Sequence, residues 1–247
     1  MIRGLYTSAM GLAVQDKRQE LVANNLVNAN TVGYKKETLV SEAFPNMLIQ
    51  ILNDPENPSA PVVGNLSTGT RINDIVIDHS SGTIRESNDP YEMALQGEGY
   101  FVIATPAGER YTRNGQFRVD STGNLVTADG YAVMGQNGEI NLARANGNIQ
   151  VSTDGTISSN GQIIDRFRVV TLNGEIIKEG SSLFRGTDAQ EVEVPTVIQG
   201  FVEESNTSAL QEMVNMISAA RAYETNAKMV QIHDSTLEKA VNEVGQA

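Results

Sequence analysis

Few residues in this sequence are arranged to carry out chemistry. The chain contains two histidines, His79 and His233, which lie far apart, and it contains no cysteine. A histidine-based zinc site would have to recruit carboxylates from distant segments, and no spacing indicates such a set. The absence of cysteine removes both thiolate chemistry and a disulfide framework. We therefore expect no metal site, and a structural or surface role for each histidine.

Two short motifs have spacings typical of ligand-binding loops, but their contexts argue against binding. Residues 97–99 read Gly-Glu-Gly, yet the third glycine of a dinucleotide fingerprint is missing and a β-prone run follows in place of a helix. Residues 120–124 begin like a calcium loop, but the sixth position is not glycine and the twelfth is Tyr131 in place of glutamate. Both motifs are predicted to be turns, and no cofactor is expected.

The sequence also lacks the linear signatures of common hydrolases. It has neither the Gly-x-Ser-x-Gly of a nucleophile elbow nor the His-Glu-x-x-His of a zinc peptidase. Acidic residues are abundant, but no pair stands out for glycoside hydrolysis, and the absence of tryptophan leaves few side chains to stack on sugars. We predict that the protein is not an enzyme. A β-rich protein that binds or cleaves cell-wall glycan is the alternative from another functional class.

The charge balance limits the classes of partner. The 247 residues carry a formal net charge of −12. Such an acidic surface disfavours nucleic acid and anionic membranes. No apolar run approaches the roughly 18 residues of a membrane span, and the N-terminus lacks the apolar core of a cleaved signal peptide. The sequence predicts no nucleic-acid partner and no membrane insertion. It leaves open a cytoplasmic location or export by a route without a cleaved signal.

The C-terminal segment has the strongest periodic pattern in the sequence. We expect it to carry most of the residues of a functional surface. Positions that alternate in steps of three and four form a heptad pattern, which only Asp234 interrupts with a charge. Its members are Met213, Met216, Ala220, Tyr223, Ala227, Val230, Asp234, Leu237, Val241 and Val244. The polar cluster at residues 205–208 offers N-cap candidates. The pattern predicts a helix over about residues 208–244, which would be about 55 Å long.

A weaker heptad pattern occupies the N-terminus. Its members are Leu5, Ala9, Leu12, Asp16, Gln19, Ala23, Leu26 and Asn30, so that two polar residues interrupt an apolar seam. Asn28 and Asn30 are poor helix formers, and Gly33 is a candidate for the left-handed residue that ends a helix. The pattern predicts a helix over about residues 4–30.

The segments between the helices predict a connecting loop followed by a β domain. Four prolines break up residues 35–70, which we predict to be an irregular loop with a possible short helix near residues 41–52. From residue 71 to 200, short β-prone runs alternate with Asn-Gly and Asp-Gly turns, the pattern of an antiparallel all-β domain of barrel or sandwich type. The predicted strands cover residues 72–78, 100–104, 110–112, 117–119, 125–127, 132–134, 149–151, 163–171 and 192–197.

The predicted fold class is α+β, with the β domain inserted into a coiled-coil-like module of the two terminal helices. The predicted divisions are an N-terminal helix (1–34), the loop (35–70), an all-β outer domain (71–200) and a C-terminal helix (201–247). The helical seams have three possible partners. They pair within one molecule, pair across subunits, or fold only when assembly supplies a neighbour. Physical reasoning leaves intramolecular pairing and assembly equally open.

Sequence motifs along nearly the whole chain resemble one family. Residues 23–35 read ANNLVNANTVGYK and closely resemble the N-terminal signature of bacterial flagellar rod and hook proteins, approximately ANNLANxNTxGFK. The departures are Val27 for alanine and Tyr34 for phenylalanine, with Thr207 where valine is common in the C-terminal signature. The other resembling segments are residues 95–102, 111–117, 129–135, 200–206, 212–217 and 221–226.

This resemblance implies a structural subunit of the flagellar basal-body rod. In that family the terminal helices form concentric coiled-coil layers of a helical tube, which transmits torque from motor to hook and serves as an export channel. The expected partners are further copies, other rod and hook axial proteins, and the flagellar type III export apparatus. The implied location is the basal body, outside the cytoplasmic membrane. A hook-type component is the alternative within this class, although the chain length is closer to that of rod proteins.

The seams and the two signatures together predict the assembly interface. Its asparagines are expected either to end the first helix or to hydrogen-bond between stacked subunits. Its predicted members are Leu5, Leu12, Asn24, Asn25, Leu26, Asn28, Ser205, Asn206, Met213, Met216, Ile217, Ala220, Tyr223, Asn226, Ala227, Val230 and Leu237.

Overall fold

The computed structural model describes residues 2–44, 47–50, 62–66, 69–143, 145, 149–174 and 176–242. Two long helices, α1 (Ile2–Val27) and α2 (Ala209–Asn242), lie at the ends of the chain. They agree closely with the predicted helices, because a heptad pattern without proline strongly favours a helix. Neither described helix has the length and apolar character needed to cross a membrane.

All of the described strand pairs are antiparallel, and the α+β fold class is confirmed. The strands are β1 (Glu37–Ala43), β2 (Met47–Gln50), β3 (Val62–Leu66), β4 (Thr70–Ile77), β5 (Ile84–Glu86), β6 (Met93–Gln96), β7 (Tyr100–Thr105), β8 (Gly108–Thr112), β9 (Phe117–Val119), β10 (Leu125–Thr127), β11 (Ala132–Gly135), β12 (Gly138–Glu139), β13 (Ile149–Val151), β14 (Thr156–Ser159), β15 (Gln162–Arg166), β16 (Val169–Leu172), β17 (Ile176–Glu179), β18 (Leu183–Gly186), β19 (Ala189–Glu191), β20 (Thr196–Gln199) and β21 (Phe201–Glu203).

The chain divides into two compact units, each built from separate stretches of sequence. The helical unit contains residues 1–26, 37–78 and 209–247, and the β-rich unit contains residues 27–36 and 79–208. In the helical unit, β1 pairs with β4 through a register that places Leu39 opposite Ile75, with a bulge between Val40 and Ser41. Leu39 packs with Val14 and Leu21 of α1, which lie seven residues apart on one helix face.

The β-rich unit is built around one branched sheet. Its main path runs β17-β18-β8-β7-β11-β10-β9, β12 and β16 pair with this path from the side, and β19 pairs with β16. The core beneath it contains Phe101, Phe117 and Phe167, with ring centroids 5.1 to 6.1 Å apart. Smaller sheets β13-β14-β15, β20-β6 and β21-β5 complete the unit. The path is open at both ends, so the predicted barrel alternative is wrong for the described residues.

Several local predictions need correction. The loop predicted over residues 35–70 contains β1, β2 and β3, and the short helix predicted near 41–52 is replaced by strands at 41–43 and 47–50. The rest of that predicted helix lies outside the described residues. The strand predicted over 163–171 is two strands, because the chain leaves one sheet at Phe167, whose amide donates to the Gly155 carbonyl. The strand predicted over 192–197 begins only at Thr196, after Pro195.

The turn signals were accurate at most sites. Asn160 and Gly161 have φ angles of 50° and 79° and join β14 to β15, as expected for a two-residue hairpin. Asn114-Gly115 does not close a hairpin. A Cβ at Gly115 would lie 1.7 Å from the carbonyl oxygen of Met93, so this glycine permits a close backbone approach.

Candidate assembly site

The two terminal helices contact each other in antiparallel directions at two glycines of α1. A Cβ on Gly4 would lie 2.4 Å from the ring of His233, and a Cβ on Gly11 would lie 3.1 Å from the amide group of Asn226. From the first contact to the second, the position in α1 rises by seven residues and the position in α2 falls by seven residues. The absence of a side chain at each glycine therefore lets a polar residue of α2 lie directly against the backbone of α1.

The same seven-residue step identifies the buried face of α2. From His233 and Asn226 it reaches Ala219 and Glu212, which are the buried residues of this helix at 2% and 1% exposure. This face lies one residue before the predicted positions Met213, Ala220, Ala227 and Asp234. Three predicted positions between these steps, Met216, Val230 and Leu237, are half-buried, as are Ala220 and Ala227.

A different side of α2 presents an apolar surface that is exposed in this chain. Leu210, Met213, Val214 and Ile217 are 75%, 50%, 50% and 55% exposed. Their spacing of three, four and seven residues places them on one side of the helix, and we call them the exposed strip. Tyr223, another predicted interface residue, is 39% exposed. Helix α2 therefore presents apolar residues on more than one face.

The predicted residues of α1 occupy mixed environments. Leu5, Leu12 and Leu26 are half-buried, and Asn24 is exposed. The residues most buried in this helix, apart from Asn25, are Val14, Leu21 and Val22. Sequence periodicity missed these three because they lie beside the seam that it favoured.

The asparagines of the first signature make hydrogen bonds within the chain. The side chain of Asn25, 1% exposed, accepts from the backbone N–H of Glu37 at 3.1 Å and donates to the Glu37 carbonyl at 2.8 Å. It therefore holds the start of β1 against the end of α1. Asn28 accepts from the hydroxyl of Thr31 at 3.2 Å in the turn that follows the helix.

The C-terminal signature is held to the β-rich unit in a comparable way. Asn206 accepts from the backbone N–H of Lys36 at 2.8 Å, and its amide group donates to Ser80. The hydroxyl of Ser205 accepts from the N–H of Thr207 at 3.1 Å, which shapes the turn before α2. These asparagine and serine side chains therefore join segments of the same chain.

A buried ion-pair network in the β-rich unit connects three of the sequence motifs. Glu203, 1% exposed, accepts from the Nζ of Lys35 at 2.7 Å and from the Nε of Arg113. Arg113 also donates to the carbonyl oxygens of Gly99, Leu95 and Gly97. Sequence reasoning did not single out these charges, although each lies within or beside a motif that carries the family resemblance.

The network borders a cleft of about 370 Å³ that is lined by His79 and Tyr100 among others. The Tyr100 hydroxyl and the Nδ1 of His79 are 2.5 Å apart, and burial raises the pKa of the phenol from 10.0 to about 12. The Lys35 and Arg113 cations at this cleft are hydrogen-bonded to Glu203 and to carbonyl oxygens. Among the described residues, no group of three or more His, Asp or Glu side chains could hold a metal ion.

Three family models match successive parts of the chain. The model described as "Flagella basal body rod protein" matches residues 5–35, within α1 and the turn after it. The model described as "Flagellar hook protein FlgE/F/G D1 domain" matches residues 94–159 in the β-rich unit. The model described as "Flagellar basal body rod FlgEFG protein C-terminal" matches residues 198–243, which include β21 and α2.

Curated relatives align over almost the full chain. The flagellar basal-body rod protein FlgG of Borreliella burgdorferi is 33% identical over 266 residues, covering 98% of each chain. FlgG of Bacillus subtilis is 31% identical and covers 98% of this chain and 99% of the relative. The rod protein FlgF of Rhizobium meliloti is 30% identical and covers 99% of each.

The three matched regions lie in the same order as the N-terminal, central and C-terminal motifs found in the sequence. The resemblance is confirmed, and the glycan-binding or glycan-cleaving alternative is not favoured. The chain belongs to the family of flagellar basal-body rod proteins, which are structural components of the flagellar basal body and not enzymes.

Proposed function

We propose that this rod subunit assembles, through its terminal helices, with copies of itself and with other axial proteins into a helical tube. That tube transmits torque from the motor to the hook and encloses an export channel. The subunit itself leaves the cell through the flagellar type III export apparatus without a cleaved signal peptide. The observation that supports the proposal best is the exposed strip on α2, formed by Leu210, Met213, Val214 and Ile217.

The exposed strip is suited to a neighbouring helix. A helix that is apolar on more than one side needs more than one packing partner, and α1 already contacts α2 on the face that contains Asn226 and His233. The partner to which we commit is a terminal helix of the adjacent subunit, packed in coiled-coil fashion. A contact between different faces of successive subunits is heterologous, and such contacts generate open helical assemblies.

The predicted interface divides into three groups in this proposal. The exposed members face neighbouring subunits directly, and they are Asn24, Met213, Ile217 and Tyr223. The half-buried residues contribute where a neighbour packs beside the α1–α2 contact, and they are Leu5, Leu12, Leu26, Met216, Ala220, Asn226, Ala227, Val230 and Leu237. Asn25, Asn28, Ser205 and Asn206 shape the signature turns, as their hydrogen bonds indicate, and support the interface from behind.

Inserting a charge into the exposed strip tests the assembly proposal. Ile217→Asp should reduce incorporation into basal bodies and swimming at least tenfold, because a carboxylate would be buried without a partner at the subunit contact. Ile163→Asp is the matched control, since Ile163 is 75% exposed on a strand of the β-rich unit. Both variants should retain the helix content of the unmodified monomer. Normal incorporation of Ile217→Asp would refute the proposed interface.

A labelling experiment locates the contact without relying on loss of function. The chain has no cysteine, so Ile217→Cys and Ile163→Cys each introduce a single thiol. The thiol at position 217 should react with a soluble maleimide in the monomer and become protected in isolated basal bodies. The thiol at position 163 should react in both states. Equal reactivity of position 217 in both states would argue against the proposal.

A further inference from the structure

Glu203 connects parts of the β-rich unit that are far apart in the chain. Its carboxylate accepts from Lys35, Arg113 and the backbone N–H of Gly82, the last at 2.9 Å. Its own carbonyl accepts from the N–H of Gly33 at 2.8 Å. These contacts span 168, 121 and 90 residues for Lys35, Gly82 and Arg113. One residue therefore joins the segment after α1, the segment before β5 and the loop after β8.

The two cations are strongly dependent on this carboxylate. The side chains of Lys35 and Arg113 are 2% and 3% exposed. Removing one member of a buried ion pair leaves an uncompensated buried charge and lowers the folding equilibrium constant roughly a hundredfold or more. Before Glu203 is in place, Lys35 and Arg113 lack this carboxylate, so their buried native positions are less favourable.

The order of synthesis makes Glu203 the last of these residues to emerge from the ribosome. Lys35, Gly82 and Arg113 all leave the ribosome before residue 203, because synthesis begins at the N-terminus. The backbone adds to the delay, since β21 (Phe201–Glu203) pairs with β5 and the N–H of Glu204 donates to the Thr83 carbonyl at 2.8 Å. The β21–β5 pairing and the carboxylate contacts of Glu203 at this end of the β-rich unit thus require the last strand.

We infer that Glu203 is a folding gate: the β-rich unit reaches its native structure only after residue 203 joins Lys35 and Arg113. Until then the earlier segments remain an open chain, and after closure only α2 and the last residues remain to emerge. This inference concerns the folding of one subunit and does not depend on the proposed assembly.

The test follows protease resistance of the β-rich unit during synthesis. Ribosomes carrying the natural chain are stalled at successive positions, and the resistance of residues 79–199 is measured. Resistance should be absent while residue 203 remains inside the ribosome, although residues 79–199 are already outside, and it should appear when residue 203 emerges. Resistance before that point would overturn the inference.

Full-length variants separate the charge of Glu203 from the strand that carries it. Glu203→Gln should lower the protease-resistant fraction of the completed chain, with a folding equilibrium constant reduced roughly a hundredfold. Glu204→Gln is the matched control, because the Glu204–Arg85 ion pair is exposed and its loss should change the constant by less than about fivefold. Identical behaviour of the two variants would refute the gate.

A second variant distinguishes uncompensated charge from a simple failure to fold. Lys35→Met combined with Glu203→Gln removes one of the cations that has lost its carboxylate. The double variant should therefore recover at least roughly tenfold of the folding equilibrium constant lost in Glu203→Gln alone. If the double variant is as unstable as the single variant, or less stable, the loss does not arise from unpaired charge and the inference is wrong.

Discussion

At the scale of single residues, the two glycines of α1 determine how closely the terminal helices approach each other. Gly4 and Gly11 lie seven residues apart, and His233 and Asn226 occupy the space that their side chains would fill. An apolar seam would be expected at such a contact, yet here polar side chains lie against bare backbone. The pairing register of α1 and α2 is therefore defined by side-chain size as well as by apolarity.

The contact of Gly4 with His233 predicts a change of sign in a double-mutant cycle. Gly4→Ala should destabilise the helical unit by about 1–3 kcal/mol, because its methyl group overlaps the imidazole ring. In a His233→Ala background the same substitution should stabilise the unit by up to about 1 kcal/mol, since alanine favours helix over glycine. Denaturant unfolding followed by circular dichroism measures both. Stabilisation by Gly4→Ala in both backgrounds would show that the ring moves aside freely.

At the scale of elements, Asn25 shows how a helix end and a strand start are joined. Its amide group satisfies both backbone groups of Glu37, across the turn that the N-terminal signature encodes. The sequence-based proposal that this asparagine bonds between subunits competes with an observed bond inside the chain. With 1% of its surface exposed, Asn25 offers little area to a neighbouring subunit.

Replacing Asn25 tests whether its side chain holds the end of α1 against the start of β1. Asn25→Ala should lower the free energy of unfolding of the helical unit by about 1–3 kcal/mol, because it removes two hydrogen bonds to the part-buried backbone of Glu37. Asn30→Ala, at an exposed position in the following turn, is the control and should change it by less than about 0.5 kcal/mol. Hydrogen exchange at the Glu37 amide reports the effect locally. Unchanged protection of that amide in Asn25→Ala would contradict the assignment.

The elements also show where sequence reasoning succeeds. Helices α1 and α2 and the short strands at 117–119, 125–127 and 149–151 match their predicted positions, since each has a local periodicity or a turn at its ends. The strands β1 and β4 were missed or only partly found. Their register is set by the packing of Leu39 on Val14 and Leu21, and such a tertiary contact leaves no mark in the local pattern.

At the scale of the whole molecule, two units with separate cores are built from interleaved stretches of sequence. The core of the helical unit contains Val14, Leu21 and Leu39, whereas the β-rich unit is organised around the phenylalanines at 101, 117 and 167. Each unit has its own buried apolar residues, so each has its own source of stability.

Separate cores predict that the units can be destabilised one at a time. Leu21→Ala should cost about 2–5 kcal/mol and lower hydrogen-exchange protection in α1 and β1, while protection in β7 and β11 is retained. Phe101→Ala should cost about 3–5 kcal/mol and have the converse effect. Equal loss of protection in both units after either substitution would show that they unfold as one cooperative body.

The sequence by itself determined the features that depend on local order: the two terminal helices, most hairpin turns, the absence of enzyme signatures and the motifs of the rod family. Only the tertiary structure decided which face of α2 is buried, because the apolar residues of this helix allow several faces and the helix it packs against selects among them. The same holds for Glu203, whose pairing with Lys35 spans 168 residues. A contact between residues so distant in the chain has no periodicity from which it could be read.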